Sequence, residues 1–142
     1  MKVLMIEPGK KPRKAEIDGS LQGMQQVVGG YIQAIYPYDD PVALIINEEG
    51  KINGMELNRA LYDSHGEPYD IVAGPMLVVG LSRDNFASLT SEQIEKFSKE
   101  FQHPERFLKI NGRICIVPYE AEKSSKKESI KKEKPKAKGE ER

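Results

Sequence analysis

The polar residues in this sequence that are best suited to bind a ligand form a set of five. Asn58 and Arg59 belong to this set, together with three carboxylates. The carboxylates belong to Glu48, Glu49 and Asp70. A guanidinium group binds phosphate or carboxylate through two parallel hydrogen bonds, so this set could bind a phosphate or an acidic patch on a partner. In the alternative structural role, Asn58 caps a turn and Arg59 pairs with Asp70 or Glu49. The sequence favours the structural role, because a single arginine is not evidence of a ligand-binding site.

Tyrosines are concentrated in the same middle part of the chain. Tyr62 and Tyr69 flank a polar stretch, and three more precede it at positions 31, 36 and 38. Exposed tyrosines often anchor protein interfaces, and with an arginine they can also stack on bases. Half-buried aromatic residues of a sheet are the commoner outcome. Tyr62 and Tyr69 therefore complete the candidate binding site, together with the polar set above.

The sequence predicts no metal site, no cofactor and no catalytic residue. The acidic pairs at 39–40 and 48–49 lack the spacing of a calcium loop, and two histidines with one cysteine are too few for a typical zinc site. Cys115 and His103 could be proposed as a nucleophile and its base. Cys115 is inert if it lies on the buried face of its strand, which the sequence leaves open, and a histidine at a helix end is explained by the helix dipole.

Charge divides the 142 residues into two parts. Residues 1–119 carry 13 Lys or Arg and 16 Asp or Glu, a net charge of −3, whereas residues 120–142 carry 9 and 6, a net charge of +3. The first part fits one globular domain. The second is almost free of apolar residues, which predicts a disordered tail. Such a tail could bind nucleic acid through its lysines, but interleaved glutamates favour a solubilising role.

Apolar patterning predicts an α+β fold with an antiparallel or mixed sheet of about five to seven strands and two packed helices. The organising segment is residues 71–81, an apolar run that reads as a buried strand with a bend, bulge or break at Gly74-Pro75. Helices are predicted at residues 20–28 and 91–101, the second from a capping box of Thr90 and Gln93. Residues 57–62 are predicted as one or two helical turns. The Asn111-Gly112 pair predicts a final hairpin, with strands at 107–110 and 113–117.

Several features indicate a cytoplasmic protein. The apolar run at 71–81 is too short to cross a bilayer, which needs about 20 residues. A single cysteine fits a reducing compartment, and the first residues lack the features of a signal peptide. The sequence leaves the strand order and the oligomeric state open.

Residues 1–101 resemble a family of small domains of unknown function that are encoded mostly by phages, plasmids and conjugative elements. The resemblance lies in short stretches with family-like spacing, among them Glu7-Pro8-Gly9-Lys10, Val28-Gly29-Gly30-Tyr31, Asn58-Arg59 and Tyr69-Asp70-Ile71-Val72-Ala73-Gly74. The final hairpin and the lysine-rich tail look like additions to the common pattern.

This resemblance implies an accessory protein of a mobile element with no established activity. Our leading hypothesis is a non-enzymatic protein that binds a host protein, such as a defence nuclease, in the manner of Cas9-type anti-CRISPR proteins. The main alternative is a nucleic-acid- or nucleotide-binding domain that uses Arg59, the tyrosines and the tail. A third hypothesis, a small hydrolase or transferase, requires a pocket that gathers Arg59, Asp70 and Glu49.

Overall fold

The computed structural model describes residues 1–118 and shows ten strands and two helices in that range. The predicted tail at 120–142 lies outside the described residues. In chain order the elements are β1 (Lys2–Ile6), β2 (Arg13–Glu16), α1 (Leu21–Val28), β3 (Ile32–Ile35), β4 (Val42–Asn47), β5 (Leu57–Tyr62), β6 (Pro68–Ala73), β7 (Met76–Ser82), β8 (Asn85–Ala87), α2 (Ser91–Glu100), β9 (Glu105–Ile110) and β10 (Arg113–Pro118).

One six-stranded sheet forms the centre of the molecule. Its strand order is β2-β1-β7-β4-β3, with β8 paired to β7, and every pairing is antiparallel. Two further antiparallel hairpins, β5–β6 and β9–β10, stand outside this sheet. The predicted α+β class is therefore confirmed, with the six-stranded sheet in the expected size range.

Strand β7 lies in the middle of the sheet and contributes to both of its faces. Met76 and Val78 belong to the core that also contains Phe97 of α2, while Leu77 and Val79 belong to the core on the side of α1. Successive side chains of a strand point to opposite faces, so an unbroken apolar run is needed where both faces are covered. This requirement explains the composition of the segment.

The apolar segment 71–81 breaks at Gly74, as predicted. Gly74 has a φ of +88°, which side chains with a Cβ rarely adopt, and a Cβ built there would lie 3.0 Å from the side chain of Met55. The break places residues 68–73 and 76–82 in different sheets. The segment is thus two strands joined by a bend.

The two helices begin and end within one residue of the predicted bounds. The Ser20 side chain accepts a bond from the Gly23 amide at the start of α1, and Gly29 ends that helix in the left-handed conformation. At α2, Thr90 and Gln93 form both hydrogen bonds of the capping box, at 3.1 and 2.9 Å. Local chemistry decides these ends, so they can be read from sequence.

The prediction of helical turns at residues 57–62 is wrong, because these residues form β5. The apolar residues there support either structure over so short a stretch, and pairing with β6 decides in favour of a strand. The hairpin around Asn111-Gly112 is confirmed, and its register pairs Arg113 with Ile110. Strand β8 has three residues and carries no sequence signal that predicts it.

Within residues 1–118, neither helix has the length and apolar character needed to cross a membrane. Helix α1 has 8 residues and α2 has 10.

Candidate functional site

The hairpin β5–β6 ends in an exposed segment that we call the acidic arm, residues 62–70. Every residue of the arm is exposed, including Tyr62 at 42% and Tyr69 at 56% of their surface. The arm carries the carboxylates of Asp63, Glu67 and Asp70 and no lysine or arginine. Both tyrosines and one carboxylate of the predicted site thus lie on one projecting element.

A β-bulge at Asn58 directs side chains at the base of this hairpin into the protein interior. Leu57 pairs with Ala73 and Arg59 with Val72, so Asn58 is one extra residue on β5 opposite β6. An extra residue breaks the alternation of side chains and redirects one of them. Both Asn58 and Arg59 are consequently buried, at 0% and 2% exposure.

Asn58 connects β5 to two other segments. Its Nδ2 donates to the backbone oxygens of Ile6, at the end of β1, and of Gly74, in the bend, both at 2.9 Å. Its Oδ1 accepts a bond from Nη1 of Arg59, also at 2.9 Å. Buried amide groups need such partners, because an unmade bond costs about 1–3 kcal/mol.

Arg59 binds the end of α2. Its Nε and Nη2 donate to the carbonyl oxygen of Phe101 at 3.2 and 2.8 Å, and Nη2 also donates to the carbonyl oxygen of Lys10 at 2.7 Å. Phe101 caps the C-terminus of the helix, where the backbone dipole favours a positive charge. We call Asn58 and Arg59 the buried pair.

The buried pair therefore positions the acidic arm and does not face solvent. Asp70 is one of the two carboxylates that the sequence suggests as ion-pair partners of Arg59. It accepts a hydrogen bond from the ammonium group of Lys51. Glu49 and Glu48 are exposed in the turn after β4, where the Glu49 amide donates to Asn47. The hydrolase hypothesis loses support, because the arginine that it needs is enclosed in the protein.

The tip of the arm is a turn held by its own side chain. Asp63 Oδ1 accepts bonds from the amides of His65 and Glu67, each at 2.9 Å, and Gly66 supplies a positive φ of 79°. Aspartate is common in such turns because its carboxylate replaces a backbone acceptor. The Glu67 carboxylate is left on the surface of an ordered turn.

Glu105 of β9 ties the arm to the last hairpin. One carboxylate oxygen accepts a bond from the Ala60 amide at 2.8 Å, and the other accepts the hydroxyl of Tyr62. Partial burial raises the pKa of Tyr62 above its ordinary value, and the bond to Glu105 adds to this effect. No pattern in the sequence predicts the role of Glu105, since its contacts depend on how two distant hairpins pack.

Residues 1–118 contain no group of three or more side chains that could hold a metal ion. His103 is exposed beyond α2, and Cys115 is half-buried in β10. The side chains of the site supply hydrogen bonds, charge and aromatic surface.

The sequence of residues 1–102 matches a domain of unknown function, DUF3846. The chain belongs to this family. No curated protein and no solved structure matches the chain. The DUF3846 domain includes the acidic arm and the buried pair, whereas the hairpin β9–β10 follows it.

Proposed function

We propose that this DUF3846 protein acts by binding another protein through the acidic arm and carries out no reaction of its own. The observation that supports this proposal most strongly is the uninterrupted exposure of residues 62–70 above a base in which residues 58–61 and 72–73 are buried. An ordered, exposed loop costs less entropy to bind than a mobile one.

The composition of the arm fits an interface. Tyr69 and Tyr62 offer large rings that lose little freedom on binding, and tyrosine is enriched among the residues that contribute most to affinity. Tyr62 and Tyr69 lie on the two strands of one hairpin and together expose aromatic surface that a partner could cover.

The charge of the arm favours a basic partner. Residues 1–104 carry 10 Lys or Arg and 15 Asp or Glu, a net charge of −5, and the arm contributes three of those carboxylates. A surface that normally binds nucleic acid is basic, so an acidic protein can occupy it. A host defence nuclease of the Cas9 type is the partner that the mobile-element resemblance implies.

Nucleic-acid binding is the weaker candidate. It requires Arg59 and the tyrosines to face a phosphate backbone, but Arg59 is enclosed and the tyrosines share the arm with carboxylates that repel phosphate. Of the groups that the nucleic-acid hypothesis names, the lysines of 120–142 remain.

A defined pair of variants tests the arm. The double variant Tyr69→Ala/Glu67→Lys changes its exposed aromatic and acidic groups, and Tyr31→Ala removes a still more exposed tyrosine outside the arm. Binding to a guide-loaded Cas9-type nuclease is measured by calorimetry, and DNA cleavage is measured with and without the chain.

We expect the wild type and Tyr31→Ala to bind and inhibit alike, and the arm variant to lose at least about tenfold in affinity, or about 1.4 kcal/mol. Failure to bind any of a panel of such nucleases would rule out that partner class. Equal binding by all three proteins would rule out the arm as the binding surface.

A further inference from the structure

Within residues 1–118, strand β10 has an unpaired outer edge. It pairs with β9 alone within the described residues, and apolar side chains of this hairpin remain at the surface. Ile110 and Ile114 are each 50% exposed, and Leu108 and Val117 are exposed as well. An exposed edge with apolar side chains is a template for pairing with another strand.

The turn shows which backbone groups this edge presents. Asn111 and Gly112 have φ values of 52° and 78°, the positive values of a type I′ turn. In such a two-residue turn, the flanking residues Ile110 and Arg113 exchange both hydrogen bonds. Residues 113, 115 and 117 therefore direct their amides and carbonyls to β9, and Ile114 and Ile116 direct theirs outward.

The devices that usually protect an edge are missing from residues 114–117 of β10, between Arg113 and Pro118. The strand contains no lysine, its pairing with β9 shows no bulge, and its proline stands at the last position, 118. Natural edge strands commonly carry such features to prevent association. Their absence over residues 114–117 indicates that association is tolerated here.

We propose that two copies of this chain associate through β10, with their strands antiparallel and Cys115 at the twofold axis. In this register Ile114 lies opposite Ile116 of the partner subunit, and both residues direct their backbone groups toward the other copy. The outward backbone amides and carbonyls of one β10 strand thus face the carbonyls and amides of the other and can form hydrogen bonds with them. This proposal is independent of the partner of the acidic arm.

The side chains also match across this axis. Leu108 and Cys115 face the same side in the hairpin, so the second copy continues their row with its own Cys115 and Leu108. On the other side, the exposed Ile114 gains an isoleucine neighbour. Cross-strand pairs of this kind stabilise sheets by about 0.2–1 kcal/mol each.

The positive charges of the two hairpins stay apart in this register. Arg113 lies opposite Val117 of the partner subunit, which separates the two arginines by four residues along the strands, about 14 Å. This distance exceeds the Debye length of about 10 Å at moderate salt. The charges on the edge therefore do not oppose the approach of a second copy. The β10 strand of that copy also presents the backbone donors and acceptors that the outward groups of Ile114 and Ile116 need.

Sedimentation equilibrium of the full chain under reducing conditions tests the association. The interface is small, so we expect a dimer that forms as the concentration rises from micromolar to millimolar. Ile114→Glu should lower the association constant at least about tenfold, because the two carboxylates repel each other near the axis. The hairpin itself should remain folded, since Lys109 lies opposite position 114.

Ile52→Glu is the matched control, because Ile52 is exposed and lies far from β10 in sequence. It should associate like the wild type, and thermal denaturation of both variants checks that they fold. A wild-type chain that stays monomeric up to millimolar concentration would overturn the proposal, as would an Ile114→Glu variant that is folded and still dimerises fully.

Cys115 reports the register, since it is the only cysteine of the chain. Opposite residues in a pair without hydrogen bonds have Cα atoms about 4.5 Å apart, within the range of a disulfide. With oxidised glutathione, two Cys115 thiols form one disulfide between subunits and two molecules of reduced glutathione are released. We expect this link to form faster than in the relocated variant Cys115→Ser/Ile52→Cys. Equal rates would overturn the Cys115-centred register.

Discussion

The two hairpins outside the main sheet differ in how they are held. The base of β5–β6 is buried and bound through Asn58 and Arg59 to β1, to the bend and to the end of α2. The hairpin β9–β10 exposes much of both its faces and is tied to β5 by Glu105. One hairpin is thus a fixed part of the domain, and the other is an attachment to it.

Charge separates the two regions in the same way. Residues 1–104, which include the acidic arm, have a net charge of −5, and residues 105–142 have 12 Lys or Arg and 7 Asp or Glu, a net charge of +5. The neutral total conceals this division. A chain with one acidic and one basic part can use each part for a different contact.

The largest expected effect comes from Arg59. Arg59→Met removes the donors to Phe101 and Lys10 and leaves buried carbonyl groups without them, so we expect a loss of about 3–5 kcal/mol in the free energy of unfolding. Arg113→Met in the exposed hairpin should change it by no more than about 0.5 kcal/mol. Urea denaturation measures both. Similar losses in the two variants would contradict the contrast between the hairpins.

A smaller effect is expected at the link between the hairpins. Glu105→Ala removes the acceptor of the Ala60 amide and of the Tyr62 hydroxyl, which should cost about 1–3 kcal/mol. Hydrogen exchange at the Ala60 amide should accelerate as well. Glu56→Ala, an exposed glutamate just before β5, is the control. An unchanged exchange rate at Ala60 would show that Glu105 does not connect the hairpins in solution.

The smallest effect is a dependence on pH at Tyr62. Its pKa is higher in the folded protein than the value of about 10 in an unfolded chain, chiefly because of partial burial. The resulting stabilisation is present below about pH 10 and is lost as the pH rises through the folded-state pKa. Denaturation at several alkaline pH values should show this loss in the wild type and less of it in Tyr62→Phe. Tyr69→Phe, which leaves the Glu105 contact intact, should behave like the wild type.

The features that the sequence predicted correctly are those that depend on residues close together in the chain. Thr90 and Gln93 cap α2 through bonds that span three residues, and Asn111-Gly112 sets the last turn through its own backbone angles. The break at Gly74 was predictable for the same reason. The strand β5 was not, because six residues of mixed character do not distinguish a strand from a helix turn until a partner strand is present.

The candidate site shows the same limit. Tyr62, Tyr69 and Asp70 lie together on the arm, but Asn58 and Arg59 are inside, and Glu48 and Glu49 occupy a separate turn. Nothing in the order of residues shows that a bulge will turn Asn58 inward. The partners of Arg59 are also out of reach, because Lys10 and Phe101 are 49 and 42 positions away in the chain.

By itself the sequence determined the α+β class, the two helices with their caps and the bend at Gly74, because each depends on side chains within a few residues of one another. The tertiary structure alone decided that Arg59 lies buried beneath the acidic arm and that β10, within residues 1–118, is paired along one edge only. Burial and strand pairing arise when segments that are distant in the chain pack together. They decide whether a polar side chain is enclosed in the interior or remains exposed and available to a binding partner.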